Sequence, residues 1–423
     1  MDCDFLIVGA GIFGLSTAYH IKRANENAEI IVVDRNPDAG QGATAKSAGG
    51  FRVIFTNPVN RMLAESSVDF YLHIHRDLNR DLGIVMAGYL ILQDKELFEI
   101  NRPVVEEFER KGEVKVYKSD ELKEKLKMNV NFDGDEEAEL LGAKNVDYGI
   151  LAKKCGYIDA DKLASFYKEE LVQMGCNFEF NTQVENLILE PELKLGIPRE
   201  PRTWQKKKIA GVETNKGKIT AENVIVAAGG WSHLILDKIG VDCISKPKKR
   251  QIFTVKLKKP ELEELFHTEG FNDEGIMPFT FLPTGHYVRA DKRDKTFWLG
   301  FADDLGRKFD TNEDPEERYY YDNVYPVVVK YFPQFRDVSI DNMWAGLYMI
   351  NSLDGAPVVF KVENMVVATG DSGSGILKGD AVGRIAAALA LGKGEAELYG
   401  GRKIRSDVLS IQNRCMEPEK FIF

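Results

Sequence analysis

Cysteine is scarce in this sequence, with five in 423 residues. They are Cys3, Cys155, Cys176, Cys243 and Cys415. The number is odd, the positions are dispersed and no C-x-x-C pair occurs, which argues against a disulfide framework and against a zinc site. The pattern predicts isolated thiols in a reducing compartment, and we expect a cytoplasmic protein.

Long apolar runs and an excess of positive charge are also missing. No apolar stretch reaches the roughly 20 residues that cross a bilayer, and an N-terminus with Asp2 and Asp4 before a short strand does not resemble a signal peptide. The 66 acidic residues outnumber the 56 basic ones, giving a net charge of −10. This balance argues against a nucleic-acid partner. We find no metal-ligand cluster, whereas peripheral membrane association is compatible with the sequence.

Glycines follow a short apolar strand near the N-terminus. The first 34 residues predict a β-α-β unit, with strand Phe5–Val8, helix Leu15–Arg23 and strand Ile30–Val33. Gly9, Gly11 and Gly14 form a G-x-G-x-x-G turn between the first strand and the helix, and Asp34 ends the second strand. Such a turn admits a phosphate to a helix N-terminus, and an acid about 20 residues later can accept from a ribose hydroxyl. The unit predicts dinucleotide binding.

At two later places in the chain, a buried strand is again followed directly by glycines. One runs through 226–230 and the other through 368–375, with β-rich material at about 245–345 between them. The stretch 42–52, GATAKSAGGFR, adds a small polar loop with a glycine pair before Arg52. NAD needs one such crevice, whereas the longer FAD molecule runs across further strand ends. We therefore expect FAD.

The predicted fold class is α/β, and a chain of this length is expected to form two domains. The first is a doubly wound, Rossmann-like FAD domain of the glutathione-reductase type, and the second is an inserted β-rich substrate domain. The expected ranges are 1–85, 146–244 and 345–423 for the FAD domain, and 86–145 and 245–344 for the substrate domain.

The sequence resembles the D-amino-acid-oxidase superfamily of FAD-dependent oxidoreductases. Within it, the branch with sarcosine and dimethylglycine dehydrogenases, sarcosine oxidase and the β subunit of dye-linked L-proline dehydrogenase is the most similar. The matching segments span nearly the whole chain: VGAGIFGLSTAYHI (8–21), GATAKSAGGFR (42–52), GYIDADKL (156–163), VIVAAGGWS (224–232), KRQIFTV (249–255), WAGLYMINSLDGAPVV (344–359) and MVVATGDSGSGILKGDAVG (365–383).

The resemblance implies a set of FAD contacts. These are Gly9, Gly11, Ile12, Phe13, Gly14, Asp34, Arg35, Thr44, Lys46, Ser47, Ala48, Gly49, Gly50, Val184, Ala228, Gly229, Trp231, Gly346, Tyr348, Gly373, Ser374, Gly375, Ile376, Leu377 and Lys378. The family's Ser/Thr-rich loop, here Thr44 to Ser47, touches the pyrophosphate, and Gly49-Gly50 runs along the flavin.

The resemblance also implies a reaction and its side chains. A hydride passes from the carbon next to nitrogen, or oxygen, to flavin N5, and the protein orients the substrate and holds any carboxylate. The expected substrate-side residues are Arg52, Tyr348, Lys378, Tyr287 and Arg289. Each has a purely structural alternative: a backbone-bonded Arg52, a packed Tyr348, an exposed edge strand for Tyr287 and Arg289, and a solvated Lys378.

Two positions depart from monomeric sarcosine oxidase. Leu377 stands where that enzyme has a carboxylate-binding Lys, with Lys378 one place later, and Trp298 stands where it has a Lys that promotes reaction with oxygen. A dehydrogenase that passes electrons to a carrier is therefore expected. The Cys that attaches the flavin covalently in that enzyme aligns near Gly346, and no His precedes Gly49. FAD is therefore expected to be held non-covalently.

The expected substrate is a small amine or amino acid that is sarcosine-like, proline-like or a D-amino acid. Oxidation of a 2-hydroxy acid or glycerol phosphate on the same scaffold is the alternative. A third reading is an FAD-bound subunit of a larger dehydrogenase complex. The protein is expected to be a homo-oligomer or a monomer, with hetero-oligomeric association left open.

Overall fold

The computed structural model describes residues 2–414 and 417–421. Strands β1 to β20 are, in chain order, Asp2–Val8, Ile30–Val33, Gly50–Arg52, Tyr89–Gln93, Val114–Lys118, Tyr148–Ala152, Cys155–Tyr157, Asn177–Glu179, Val184–Pro191, Lys207–Thr214, Gly217–Val226, Ser245–Lys256, Phe279–Phe281, His286–Asp291, Thr296–Phe301, Asn342–Asn351, Val358–Val362, Met365–Thr369, Glu395–Glu397 and Lys403–Arg405. Helices α1 to α11 are Ile12–Ala24, Pro58–Arg76, Lys95–Arg110, Ser119–Leu126, Glu136–Leu140, Ala160–Gln173, Ser232–Leu236, Pro260–Phe266, Glu317–Tyr319, Tyr325–Tyr331 and Gly375–Ala390.

The first sheet is built around parallel strands. Its order is β17-β18-β11-β1-β2-β8, and the antiparallel hairpin β9–β10 continues from β11. Alternate side chains of β1 face opposite layers, as the pleat requires. Phe5 and Ile7 pack into the core that includes α1, α2, α6 and α11. Leu6 and Val8 pack into the core that includes β9, β10 and α7.

The second sheet has the order β16-β12-β15-β14-β13-β4-β6-β5 and is mostly antiparallel. Its core includes Phe253, Phe297 and Leu299 from the sheet and Tyr331 from α10. The helices α9 and α10 lie in a region expected to be mostly β. The β-branched run there, Val327 to Val329, has a strand-like composition, but it is helical and partly buried in this core.

Two strands of the second sheet cross the expected domain ranges. The range 146–244 contains β6 and the boundary at 345 cuts β16, yet both strands pair in the second sheet. Strand β6 is a short apolar run whose sequence does not reveal its partner, and it pairs with β4. The rest of the division stays a prediction.

The cysteines at positions 3, 155, 176 and 243 are buried free thiols. Burial raises the pKa of the Cys155 thiol to about 12. Cys415 lies outside the described residues.

Candidate active site

The three strand-and-glycine junctions meet at one edge of the first sheet. Strands β1, β11 and β18 are parallel neighbours, with Val8 opposite Val226 and Val226 opposite Val367. Their carboxyl ends therefore lie together, which is where open α/β sheets bind ligands. A cavity of about 830 Å³ opens there, within the range of roughly 300–1,000 Å³ typical of ligand sites.

The turn after β1 leaves no room for side chains. Gly9 has φ +107°, and a Cβ there would overlap the carbonyl oxygen of Ala227. A Cβ at Gly14 would overlap the carbonyl oxygen of Gly9. Helix α1 begins at Ile12, whose N–H donates to Oγ1 of Thr44 over 3.1 Å. The turn thus brings a helix N-terminus to the cavity wall, as anion binding requires.

Asp34 is fixed at the rim of the cavity by backbone donors. Its Oδ2 accepts from the N–H of Ala10 over 2.7 Å, and its Oδ1 accepts from the N–H of Asn36 over 2.8 Å. The Arg35 guanidinium lies 3.3 Å from the ring centroid of Trp231. We call this region, lined by Asp34, Arg35 and Val184, the nucleotide end of the cavity.

The stretch 42–52 lies along the cavity as backbone. Gly49 has φ +62°, and a Cβ there would overlap the carbonyl oxygen of Ile158. A Cβ at Gly50 would overlap the hydroxyl of Tyr89. Gly50 begins β3, which pairs antiparallel with β7. The glycine pair is therefore required by the protein's own packing on one side while the other side lines the cavity.

Aromatic rings line the other end of the cavity. We call this the aromatic end; its residues are Tyr89, Phe279, Phe281, Tyr287 and Tyr348. The ring centroids of Tyr89 and Phe279 lie 4.8 Å apart, and those of Phe279 and Tyr287 lie 5.3 Å apart. Burial raises the pKa of Tyr89, Tyr287 and Tyr348 above the usual value, so these tyrosines are neutral hydrogen-bonding groups at physiological pH.

Arg52 lines the cavity next to this aromatic end. Its guanidinium lies 4.2 Å from the ring centroid of Phe55, and its Nη1 donates to the carbonyl oxygen of Ile54 over 3.4 Å. Burial lowers the pKa of Arg52, and its interaction with Tyr89 opposes that shift. An Arg remains charged in proteins, so this residue places a cation beside the aromatic rings.

Lys378, expected to contact substrate or FAD, is not among the residues that line the cavity. Its Nζ donates to Oδ1 of Asn60 over 2.8 Å and lies 5.0 Å from the ring centroid of Phe55. The side chain is buried. Burial, followed by the neighbouring Arg52, lowers the pKa of Lys378 to about 7.

Arg289, also expected on the substrate side, is likewise not among the residues that line the cavity. Its guanidinium lies between the rings of Trp298, at 3.7 Å, and Tyr157, at 4.2 Å. It donates to the carbonyl oxygen of Ala48 and pairs with Asp291. The residue fixes the loop that lines the cavity rather than lining it.

Most of the other expected residues line the cavity: Gly9, Gly11, Ile12, Phe13, Asp34, Arg35, Thr44, Ser47, Ala48, Gly49, Gly50, Val184, Ala228, Gly229, Trp231, Tyr287, Tyr348, Gly373, Gly375, Ile376 and Leu377. Four expected contacts do not: Gly14, Lys46, Gly346 and Ser374. Lys46 instead pairs with Glu313, with 2.9 Å between Nζ and Oε1. The hydroxyl of Ser374 donates to the carbonyl oxygen of Asp371 over 2.6 Å.

Asp371 is a further functional candidate, for which the sequence is compatible with facing the flavin ring or with capping the turn. It lines the cavity in the turn between β18 and α11. The sequence signal was an acid inside a glycine-rich turn, which was equally compatible with turn capping. Phe279 and Phe281 are not among the predicted site residues, because a strand with alternating aromatic residues has the same sequence pattern in a cavity wall and in a hydrophobic core.

A family model described as FAD dependent oxidoreductase matches residues 4–389. The chain belongs to this family. This FAD-dependent oxidoreductase is 25% identical over 413 residues to FAD-dependent oxidoreductase domain-containing protein 1 of Xenopus laevis, covering 91% of this chain and 78% of that protein.

Two crystal structures show the same fold as this oxidoreductase. L-proline dehydrogenase from P. horikoshii has a TM-score of 0.72 at 20% identity, covering 93% of this chain and 94% of the other. Glycine oxidase from Bacillus cereus has a TM-score of 0.70 at 19% identity, covering 94% and 98%.

The cavity of this oxidoreductase fits FAD. The helix N-terminus at Ile12 and the side-chain-free turn suit a pyrophosphate, and Asp34 suits a ribose hydroxyl. Because Gly49 and Gly50 line the cavity without side chains, the aromatic end has room for the flavin. Within the described residues, no group of three His, Cys, Asp or Glu could hold a metal ion, and no helix is long and apolar enough to cross a membrane.

Proposed function

We propose that the protein is an FAD-dependent dehydrogenase of a small amine or amino acid. FAD, when bound, accepts the hydride lost from the carbon next to nitrogen. The protein's own residues bind and orient the substrate. The observation that carries the proposal is Arg52, a cation that lines the same cavity as five aromatic rings and interacts with one of them, Tyr89.

Arg52 suits a substrate carboxylate. A guanidinium offers paired N–H donors that match the two oxygens of a carboxylate. The aromatic rings exclude water around it, which strengthens that contact. The hydroxyls of Tyr89, Tyr287 and Tyr348 give neutral hydrogen-bonding groups in the same region. The names of the structural neighbours, L-proline dehydrogenase and glycine oxidase, support an amino-acid-like substrate.

Position 298 supports a dehydrogenase over an oxidase. Trp298 packs edge-on against Trp344, with 4.7 Å between ring centroids, and against Arg289. It supplies no ammonium at the place where the resemblance to sarcosine oxidase implies an oxygen-activating Lys. We propose that electrons leave to a carrier rather than to oxygen.

The test is reduction of the purified holoenzyme under anaerobic conditions. Amino acids, N-methyl amino acids, simple amines and 2-hydroxy acids are added singly, and bleaching of the flavin absorbance is followed. One amine or amino acid should bleach the flavin, and the reduced enzyme should react faster with a dye acceptor than with air. Bleaching by hydroxy acids alone would contradict the proposed substrate class, and rapid reoxidation by air would contradict the proposed acceptor.

A further inference from the structure

The aromatic end of the cavity has one positively charged and one negatively charged side chain. Among the described lining residues, the charged ones are Asp34, Arg35, Arg52, Glu185, Lys238 and Asp371. Four of these belong to the side formed by β2, β9 and the turn after α7, which is the nucleotide end. Arg52 and Asp371 remain, and each interacts with an aromatic-end tyrosine: Arg52 with Tyr89, and Asp371 with Tyr348.

Asp371 is held in place by the backbone around it. A Cβ added at Gly375 would lie 2.5 Å from Oδ2 of Asp371, so the carboxylate lies against the first turn of α11. The carbonyl oxygen of Asp371 accepts from the N–H of Ser374 over 2.8 Å. The residue is half-buried and lines the cavity. Its carboxylate thus has a fixed position beside Tyr348.

We propose that Asp371 binds the ammonium group of the substrate and accepts its proton. The inference rests on the proposed function and narrows it to zwitterions, which carry an amine for Asp371 and a carboxylate for Arg52. A carboxylate in the cavity also repels 2-hydroxy acids and phosphate esters, which carry negative charge alone.

The proton step completes what oxidation of an amine requires. The ammonium N–H bond breaks, its proton forms an O–H bond on Asp371, and the electron pair stays on nitrogen. When the neighbouring C–H bond then loses its hydride to the oxidant FAD, that pair forms the C=N bond of the iminium product. A protonated nitrogen has no pair to give, so the proton must leave first.

The ionisation of Asp371 suits this role. Burial raises its pKa to about 6, while the N–H groups of Met349 and Gly375 and the charge of Lys378 oppose that shift. A base whose pKa lies just below neutral pH is ionised before the substrate binds and can hold a proton afterwards.

The test uses two ligands of the same shape. Trimethylglycine has a permanent positive charge next to its methylene group, and 3,3-dimethylbutanoate has a neutral carbon there. Neither has a lone pair at that atom, so neither can be oxidised to an iminium. Dissociation constants are measured from the change in flavin absorbance of the holoenzyme, which makes the readout independent of turnover.

We expect the wild type to bind trimethylglycine about tenfold or more tightly than 3,3-dimethylbutanoate, because the Asp371 carboxylate attracts the permanent cation of the first ligand and repels the second ligand, which is only anionic. Asp371→Asn should abolish that preference, because trimethylglycine loses its counter-charge and 3,3-dimethylbutanoate loses a repelling one, and Asp371→Glu should retain part of it. Wild-type affinity for trimethylglycine should fall as pH decreases through about 6, where Asp371 becomes neutral.

The contradictory outcomes separate the two proposals. Equal binding of both ligands by the wild type, or a preference that survives in Asp371→Asn, would overturn the role of Asp371 and leave the dehydrogenase proposal standing. If the wild type bound neither ligand, the roles of Arg52 and Asp371 in binding a zwitterion would both be wrong, and the flavin-bleaching screen alone would decide the dehydrogenase proposal.

Discussion

Nζ of Lys378 donates a hydrogen bond of 2.8 Å to Oδ1 of Asn60, outside the cavity that Arg52 lines. Either cation could bind a substrate carboxylate on sequence grounds. The structure separates them, because Arg52 lies beside the aromatic rings whereas Lys378 lies behind it against α2. Burial of Lys378 and the nearby charge of Arg52 together lower the pKa of Lys378, so its charge is sensitive to pH.

Lys378 should give the protein a pH-dependent stability. Its pKa is lowered from 10.5 to about 7, chiefly by burial. Between these values the unfolded chain binds more protons than the folded one, so the free energy of unfolding rises with pH across that window. In urea unfolding, Lys378→Met should lose this rise and the exposed control Lys393→Met should keep it. The same pH slope in both variants would rule out the assignment.

The segment 417–421 should stabilise the region that carries Arg52. Oε2 of Glu419 accepts from the backbone N–H of Thr56 over 2.8 Å and from that of Asn57 over 3.2 Å. Oε1 accepts from Nδ2 of Asn60 over 3.0 Å. Glu419→Ala leaves these donors unpaired, at a cost of roughly 1–3 kcal/mol, measured as a lower urea midpoint.

Glu417→Ala is the matched control. Glu417 contacts Asn57 through its backbone carbonyl, over 2.6 Å, and its side chain is exposed. Its replacement should change stability by less than about 0.5 kcal/mol. Equal effects of the two variants would show that the Glu419 carboxylate contributes nothing specific.

Gly49→Ala should weaken FAD binding. The residue has φ +62°, and a methyl group would overlap the carbonyl oxygen of Ile158. Strain of roughly 1–3 kcal/mol in a left-handed conformation should displace the loop and lower the ratio of flavin to protein absorbance. Gly394→Ala, where a Cβ meets open space, should keep the wild-type ratio. Full flavin content in Gly49→Ala would mean that the loop tolerates a side chain.

Local backbone requirements were predictable from the sequence. The turn at Gly9, the acid at Asp34 and the glycine pair before Arg52 each stand in a recognisable local order of strand, glycine and acid. The three glycine junctions could be placed at one sheet edge because buried parallel strands end there. The pairing partner of β6 could not be predicted, because a short apolar run does not specify which strand it pairs with.

Side-chain direction was less predictable than backbone position. Successive residues in a helix point about 100° apart, so Leu377 lines the cavity while Lys378 lies behind it. On β14, Tyr287 and Arg289 share a face, but they lie two residues, or roughly 7 Å, apart. Tyr287 lines the cavity, whereas Arg289 is under the carbonyl of Ala48. Such differences depend on tertiary packing.

The central claim is that Arg52 binds the substrate carboxylate. The measurement is KM for an amino-acid substrate and for its methyl ester, compared among the wild type, Arg52→Gln and Lys378→Gln. A charge-assisted hydrogen bond contributes roughly 1.5–3 kcal/mol, so Arg52→Gln should raise KM for the acid about 10- to 100-fold. It should change KM for the ester little, and Lys378→Gln should preserve the wild-type ratio of the two KM values. An unchanged ratio in Arg52→Gln, or a larger shift in Lys378→Gln, would contradict the account.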